Sequence, residues 1–121
     1  MTIVPNKKYD LEERTLKFSR EIRQFVHLLP KTLSNREDIR QLVRSSGSIG
    51  ANYIEASESL GVKDFYMRMR IARKEAKESI YWLQLLEIGD EAETNEKKNI
   101  LIQEGTELMR IFGSIVSKSS K

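Results

Sequence analysis

The chain holds few residues able to make or break bonds, and their spacing does not group them for it. It has one histidine, His27, and no cysteine. Without thiols there is no disulfide and no thiolate metal site. No Glu-x-x-His or His-Glu-x-x-His run occurs. The di-metal centre of carboxylate-rich helical bundles and the zinc-peptidase site therefore both lack their ligands. A Ser-His-Asp relay would have to recruit His27, which projects opposite Phe18 and Ile22 at 100° per residue and so faces solvent. Gly47 and Gly50 precede no Lys-Ser or Lys-Thr and follow no strand, so they do not cradle a phosphate. The one remaining option is an all-carboxylate metal site from Glu55, Glu75 and Glu78. The expectation is a protein that is not an enzyme, with no catalytic residue, metal, cofactor or small-molecule substrate.

Binding chemistry is better represented. Arg70, Arg73, Lys74 and Lys77 form a basic line flanked by Tyr66 and Tyr81. Cations in line can follow a phosphate backbone, and tyrosines can stack on unpaired bases. The plainer reading is a solvated helix face with i,i+4 ion pairs such as Lys74 with Glu78. A second pattern is the polar line Ser45, Ser48, Asn52, Glu55 and Ser59, stepping by three and four. Such a line either faces water or hydrogen-bonds across a helix or subunit contact. A third is a spare apolar face: Ile71, Trp82 and Leu85 point away from the stripe that runs from Phe65 to Leu83. Spare apolar faces are most simply buried by self-association. Ser45, Asn52, Glu55, Ile71, Trp82 and Leu85 are therefore the candidate oligomer interface. The competing reading is one wide core with Trp82 covering its edge.

These residues must be positioned by helices. Leu11, Thr15, Phe18, Ile22, Phe25 and Leu29 alternate steps of four and three, the spacing of one helical stripe. Asp10 with Glu13 has capping-box spacing, and Pro30 ends the segment. A second stripe is Ile39, Leu42, Ser46, Ile49, Tyr53 and Ala56, with Ser34 and Glu37 as its capping box and Gly61 as its stop. The poor helix formers Ser45 to Ser48 and Gly50 lie inside it, but the apolar period runs through them. A third stripe runs from Phe65 to Leu86 with Gly89 as C-terminal cap. A fourth carries Leu101, Gly105, Leu108, Phe112 and Ile115. The expected helices are 10–29, 35–60, 63–88 and 95–117. Short links between long helices give antiparallel neighbours, hence an all-α, antiparallel up-down-up-down four-helix bundle in a single domain spanning 1–121.

With 121 residues there is room for one core. The 21 Lys and Arg against 18 Asp and Glu leave a net charge of +3, which permits nucleic-acid contact without demanding it. Residues 1–8 are too short and polar for a signal peptide, and the longest apolar run, Ile80 to Leu83, is far too short to span a bilayer. A cytoplasmic protein without membrane contact is expected.

The run Gln41-Leu42-Val43-Arg44-Ser45-Ser46-Gly47-Ser48-Ile49-Gly50-Ala51-Asn52-Tyr53-Ile54-Glu55-Ala56 resembles the signature of the four-helix-bundle family encoded in intervening sequences of large-subunit ribosomal RNA genes. The agreement includes Phe25 to Pro30, Lys63-Asp64-Phe65 and Ile71 to Glu78, and ends near Leu83. The resemblance implies an up-down bundle and a ring-like homo-oligomer, a pentamer above others. The family is similar in turn to the basic pentameric accessory protein of diversity-generating retroelements, which engages nucleic acid. Arg44, Ser45, Asn52 and Glu55 match the family's motif, and their role is read as structural. The leading expectation is a non-enzymatic, self-assembling scaffold that binds structured RNA or DNA. The alternative is a protein-binding adaptor that uses its spare apolar faces without nucleic acid.

Overall fold

A computed structural model of the chain describes residues 10–120. Four long helices follow one another: α1 Leu11–Val26, α2 Leu33–Ser57, α3 Val62–Leu85 and α4 Ala92–Ser117. A short 3-10 turn, Lys118–Ser120, continues α4. Contacts across each seam fix the directions. Thr15 faces Gly50 while Ser19 faces Gly47, so α1 and α2 run oppositely. Ser45 meets Ser79 and Asn52 meets Arg68, so α3 reverses α2. Ile80 faces Gly105 and Arg73 faces Gly113, so α4 reverses α3. The result is the expected up-down-up-down bundle.

The apolar stripes meet in the centre. Phe18, Ile22, Leu42, Ile49, Leu83, Leu108 and Phe112 are at most 1 % exposed. Burying such side chains supplies about 1.5–3 kcal/mol each. α2 stays helical through its serines and glycines because they lie where neighbouring helices come closest. Ser45 and Ser46 are fully buried, and Gly105 on α4 lies between Ile80 and Phe18.

The helix ends differ from the sequence expectation, and each difference has a local cause. α1 stops at Val26 because the last residues before Pro30 tighten: Leu28 N–H donates to Phe25 O and Leu29 N–H to Val26 O, an i→i−3 pattern. Leu29 is nevertheless buried. Asp10 does precede α1, but its side chain makes no capping bond, its backbone being at φ −99°, ψ 13° rather than extended. α2 is capped by Thr32, not Ser34: the Thr32 hydroxyl accepts from Asn35 N–H at 3.1 Å. Gly61 does not stop α2, which ends at Ser57. It is extended at φ −140° and precedes α3 as its N-cap residue. Gly89 has positive φ, +74°, but lies beyond the end of α3, inside the turn to α4.

That turn is fixed by Asn35, a residue the stripes do not single out. Asn35 is fully buried. Its Nδ2 donates to Pro30 O at 2.9 Å and Glu87 O at 2.8 Å, and its Oδ1 accepts from Glu87 N–H at 2.9 Å. One side chain thus ties the α1–α2 connection to the α3–α4 connection.

The two glycines of α2 are predicted to respond oppositely to alanine. A Cβ at Gly50 would sit 2.7 Å from Thr15 Oγ1. That hydroxyl is held by Leu11 O at 2.7 Å and cannot swing away freely. Gly50→Ala should cost about 1–3 kcal/mol in spite of its better helix propensity. A Cβ at Gly47 would meet the mobile end of Arg23 at 3.5 Å, so Gly47→Ala should gain about 0.5–1 kcal/mol. Thermal denaturation followed by circular dichroism should move the two melting points in opposite directions.

Candidate functional site

The seam between α2 and α3 carries most of the residues singled out in the sequence. At its base, Ser45 Oγ and Ser79 Oγ lie 2.8 Å apart, and Ser79 donates to Glu75 O at 2.9 Å. Both serines are fully buried. Ser45 therefore departs from the interface expectation: α3 of its own chain covers it, and no surface remains for a second copy. Asn52 sits further along, donating to Ser48 O at 2.9 Å and accepting from Arg68 Nη1 at 3.3 Å. Glu55 is exposed on α2.

Above this seam α3 presents Arg68, Ile71, Glu75, Glu78, Trp82 and Leu85, spaced by three and four alternately. That is the spacing of a helix edge offered to another helix. Leu85 is 46 % exposed, while Ile71 and Trp82 are half-buried. Three polar atoms on this edge are buried without a hydrogen bond: Arg68 Nε, Glu75 Oε1 and Trp82 Nε1. They recur at seven-residue intervals, on one face. Arg44 of α2 leans over the edge, with Nη1 3.9 Å from Glu75 Oε1 and Nη2 3.7 Å from Glu78 Oε1. These are ion pairs too long to be hydrogen bonds. Burial pushes the Glu75 carboxyl above its ordinary pKa, Glu78 adds to the rise, and Arg44 and Lys74 oppose it.

The basic line lies on the other side of α3. Arg70, Arg73, Lys74 and Lys77 are all exposed. Arg70 and Arg73 lean towards the end of α4: Arg70 Nη2 donates to Ser119 Oγ at 2.8 Å, and Arg73 Cδ lies against Gly113. The expected Lys74–Glu78 pair is replaced, because Glu78 turns to Arg44 instead. The flanking tyrosines are partly engaged. Tyr66 packs edge-on to Phe65, and Tyr81 edge-on to Trp82, with centroids 5.1 Å apart in both pairs. Tyr81 remains 56 % exposed.

The carboxylate metal option is not assembled. Among the described residues, no three His, Cys, Asp or Glu side chains converge on one point. Glu75 and Glu78 converge on Arg44 instead. His27 is exposed at the end of α1, as projected. Among the described residues, no helix is long and apolar enough to cross a membrane. The sequence reading missed a charge clamp between α1 and α4. Arg14 Nε donates to Glu104 at 2.7 Å, and its Nη2 reaches Glu104 at 2.9 Å and Glu107 at 2.6 Å. The hydrogen bond to Glu104 is the main force raising the Arg14 pKa further above its usual value. An arginine followed by nothing but helix gives no sequence signal for a partner some ninety residues away.

Glu75 makes stability depend on pH. Folding raises its pKa above the ordinary 4.5. Its contribution is therefore fully present below pH 4.5 and is lost as the pH climbs through the raised value. Glu75→Gln should abolish that part of the pH dependence. It should leave the melting temperature unchanged at pH near 4 and raise it at pH near 8.

Comparison with known proteins agrees with the fold. Residues 7–114 match the 23S rRNA-intervening sequence protein family. The chain is also similar to a crystal structure from Bacteroides thetaiotaomicron, a protein of unknown function from the S23 ribosomal protein family. The two share 32 % identity and superpose with a TM-score of 0.72, over 87 % of this chain and 96 % of that one. No curated protein matches the chain. A match over this much of the sequence, carried on the same helical scaffold, makes the chain a member of the 23S rRNA-intervening sequence protein family.

Proposed function

We propose that the protein is a non-enzymatic helical scaffold of the cytoplasm. It joins copies of itself head to tail into a ring, with five copies favoured, the α2–α3 edge of each copy docking on a different face of the next, and turns the basic line of α3 towards structured RNA or DNA. The observation that carries this reading is the α3 edge itself. It combines exposed and half-exposed apolar side chains with three buried polar atoms that make no hydrogen bond. Each such atom costs about 1–3 kcal/mol when left unpaired. A second copy docked on the edge would cover Ile71, Trp82 and Leu85, and small side-chain shifts at the contact would give the orphaned groups new partners.

Assembly also bears on nucleic-acid binding. Arg70 to Lys77 spans only about 10 Å of helix, enough for a phosphate or two. A ring repeats that line once per subunit, so that weak contacts add along one RNA or DNA molecule. Modest charge per chain then suffices. The rival reading, a protein-binding adaptor without nucleic acid, uses the same spare apolar faces.

Sedimentation separates these readings. The wild type should sediment well above monomer mass at micromolar concentration. The paired substitution Ile71→Asp and Leu85→Asp should reduce it to a monomer with unchanged helicity. A wild-type monomer at that concentration would sink the ring. Structured RNA should be retained at low salt, and retention should fall with added salt and by about tenfold with Arg70→Glu plus Arg73→Glu. No retention at low salt would leave the adaptor reading standing.

A further inference from the structure

The seam between α1 and α4 carries a groove away from the α2–α3 edge and the basic line. α1 has 16 residues against 26 in α4, and the two helices are joined at one end by the Arg14 clamp. Beyond the clamp the seam is open at the surface. Leu28 and Ile100 are 51 % and 58 % exposed on either side of the opening. A depression of about 360 Å³ lies there, floored by Phe25 and Leu101 and edged by Leu28, Ile100, Glu21 and Lys97. It continues through Glu21 and Ile100 into a second depression beside Asp10, Glu13 and Glu104. A third shares Ile100 and Glu104 and adds Glu96 and Glu107.

The charge of this groove runs against that of the chain. Among the described residues, its lining and the adjoining face of α4 hold six carboxylates against three bases, whereas the whole sequence has more bases than acids. The bases are also engaged. Arg14 binds Glu104 and Glu107, Lys17 lies 3.8 Å from Glu21, and Lys97 lies 3.9 Å from Glu93. The groove is thus apolar at its floor, acidic at its rim and repellent to a phosphate backbone. Along the 16 residues of α1 it is about 24 Å long, close to the length of a helix of about 18 residues. Both walls are helices, so a third helix laid along the seam can set its side chains between theirs.

We propose that the α1–α4 groove docks a basic amphipathic helix of a partner protein, whose apolar side chains enter between Leu28 and Ile100 and whose lysines or arginines face Glu21, Glu96 and Glu13. Recognition of this kind reads apolar anchors at i, i+3 or i+4, and i+7, with charge setting the sign of the accepted partner. This inference does not rest on the nucleic-acid reading, and the two use different surfaces.

The test uses the full chain and a fluorescently labelled model peptide, an amphipathic helix of leucines and lysines about 18 residues long. Its control replaces every lysine with glutamate. Anisotropy titration should show binding of the lysine peptide, weakened by salt, and none of the glutamate peptide. Ile100→Asp, and separately Glu21→Lys with Glu96→Lys, should each weaken binding by about tenfold or more. All three positions are at the surface, so the fold should persist, and helicity is checked in parallel. Arg70→Glu with Arg73→Glu, which tests the nucleic-acid face, should leave peptide binding unchanged. Equal binding of the two peptides would overturn the proposal. So would no binding at low salt, or binding indifferent to both groove variants. If Ile100→Asp instead lowers the sedimenting mass of the assembly, the groove is a contact between copies of this chain and the proposal is wrong.

Discussion

The bundle depends on how closely α2 can approach its neighbours. Its middle, Ser45 to Gly50, has side chains of at most one hydroxyl except at Ile49. On one side the Thr15 hydroxyl of α1 occupies the space a Cβ would need at Gly50. On the other the Ser45 hydroxyl meets Ser79 of α3. Larger residues would push α1 or α3 outward and open the core. The cost of so many poor helix formers is offset by packing, because helical stability in a protein comes mainly from the buried face. The same closeness draws serine hydroxyls into the interior, where each finds an acceptor: Ser45, Ser46 and Ser79 all bond to backbone carbonyls of their own helices.

That approach also decides what α3 shows to the outside. With Ser79 turned into the seam, Glu75 is carried down beside it and loses most of its contact with water. Arg44 then leans across from α2, but stops short of hydrogen-bonding distance. Trp82 and Arg68, one heptad to either side, are half-buried on the same edge. A dense α2–α3 seam therefore produces an outer edge that is partly apolar and incompletely paired. Charge divides around the bundle in the same way. Arg70 and Arg73 of α3 lie towards the end of α4, and carboxylates line the groove between α1 and the other side of α4. A nearly balanced composition thus conceals two surfaces of opposite sign.

The core was legible in the sequence because it is periodic. The stripe from Leu11 to Leu29 is buried at every position named, that from Phe65 to Leu86 is buried except at Phe65 and Ile80, which are half-buried, and short links force antiparallel neighbours. The caps were less legible. Thr32 and Ser34 are chemically similar and two residues apart, and backbone geometry chose the first. Gly61 and Gly89 lie close to helix ends, and only the backbone tells whether a glycine ends one helix or begins the next. Asn35 gave no signal because its partners, Pro30 O and Glu87, are backbone groups in other loops. At the candidate site the sequence placed the polar line on α2 from Ser45 to Glu55, though Ser59 falls beyond the end of the helix, and placed the spare face on α3. It could not tell that Ser45 bonds within the subunit, or that Glu78 prefers Arg44 to Lys74. Those choices depend on which helices become neighbours and how far they are rotated.

Trp82 offers the most direct measurement of the central claim, that the α2–α3 edge is where copies meet. It is the single tryptophan of the chain and lies on that edge. Its emission should be recorded through a dilution series alongside the sedimenting mass. Self-association through this edge predicts that the emission maximum shifts to longer wavelength with dilution, with the same midpoint as the fall in mass. A tryptophan spectrum that stays constant while the assembly dissociates would place the interface elsewhere, and a mass that is monomeric at every concentration would contradict the account.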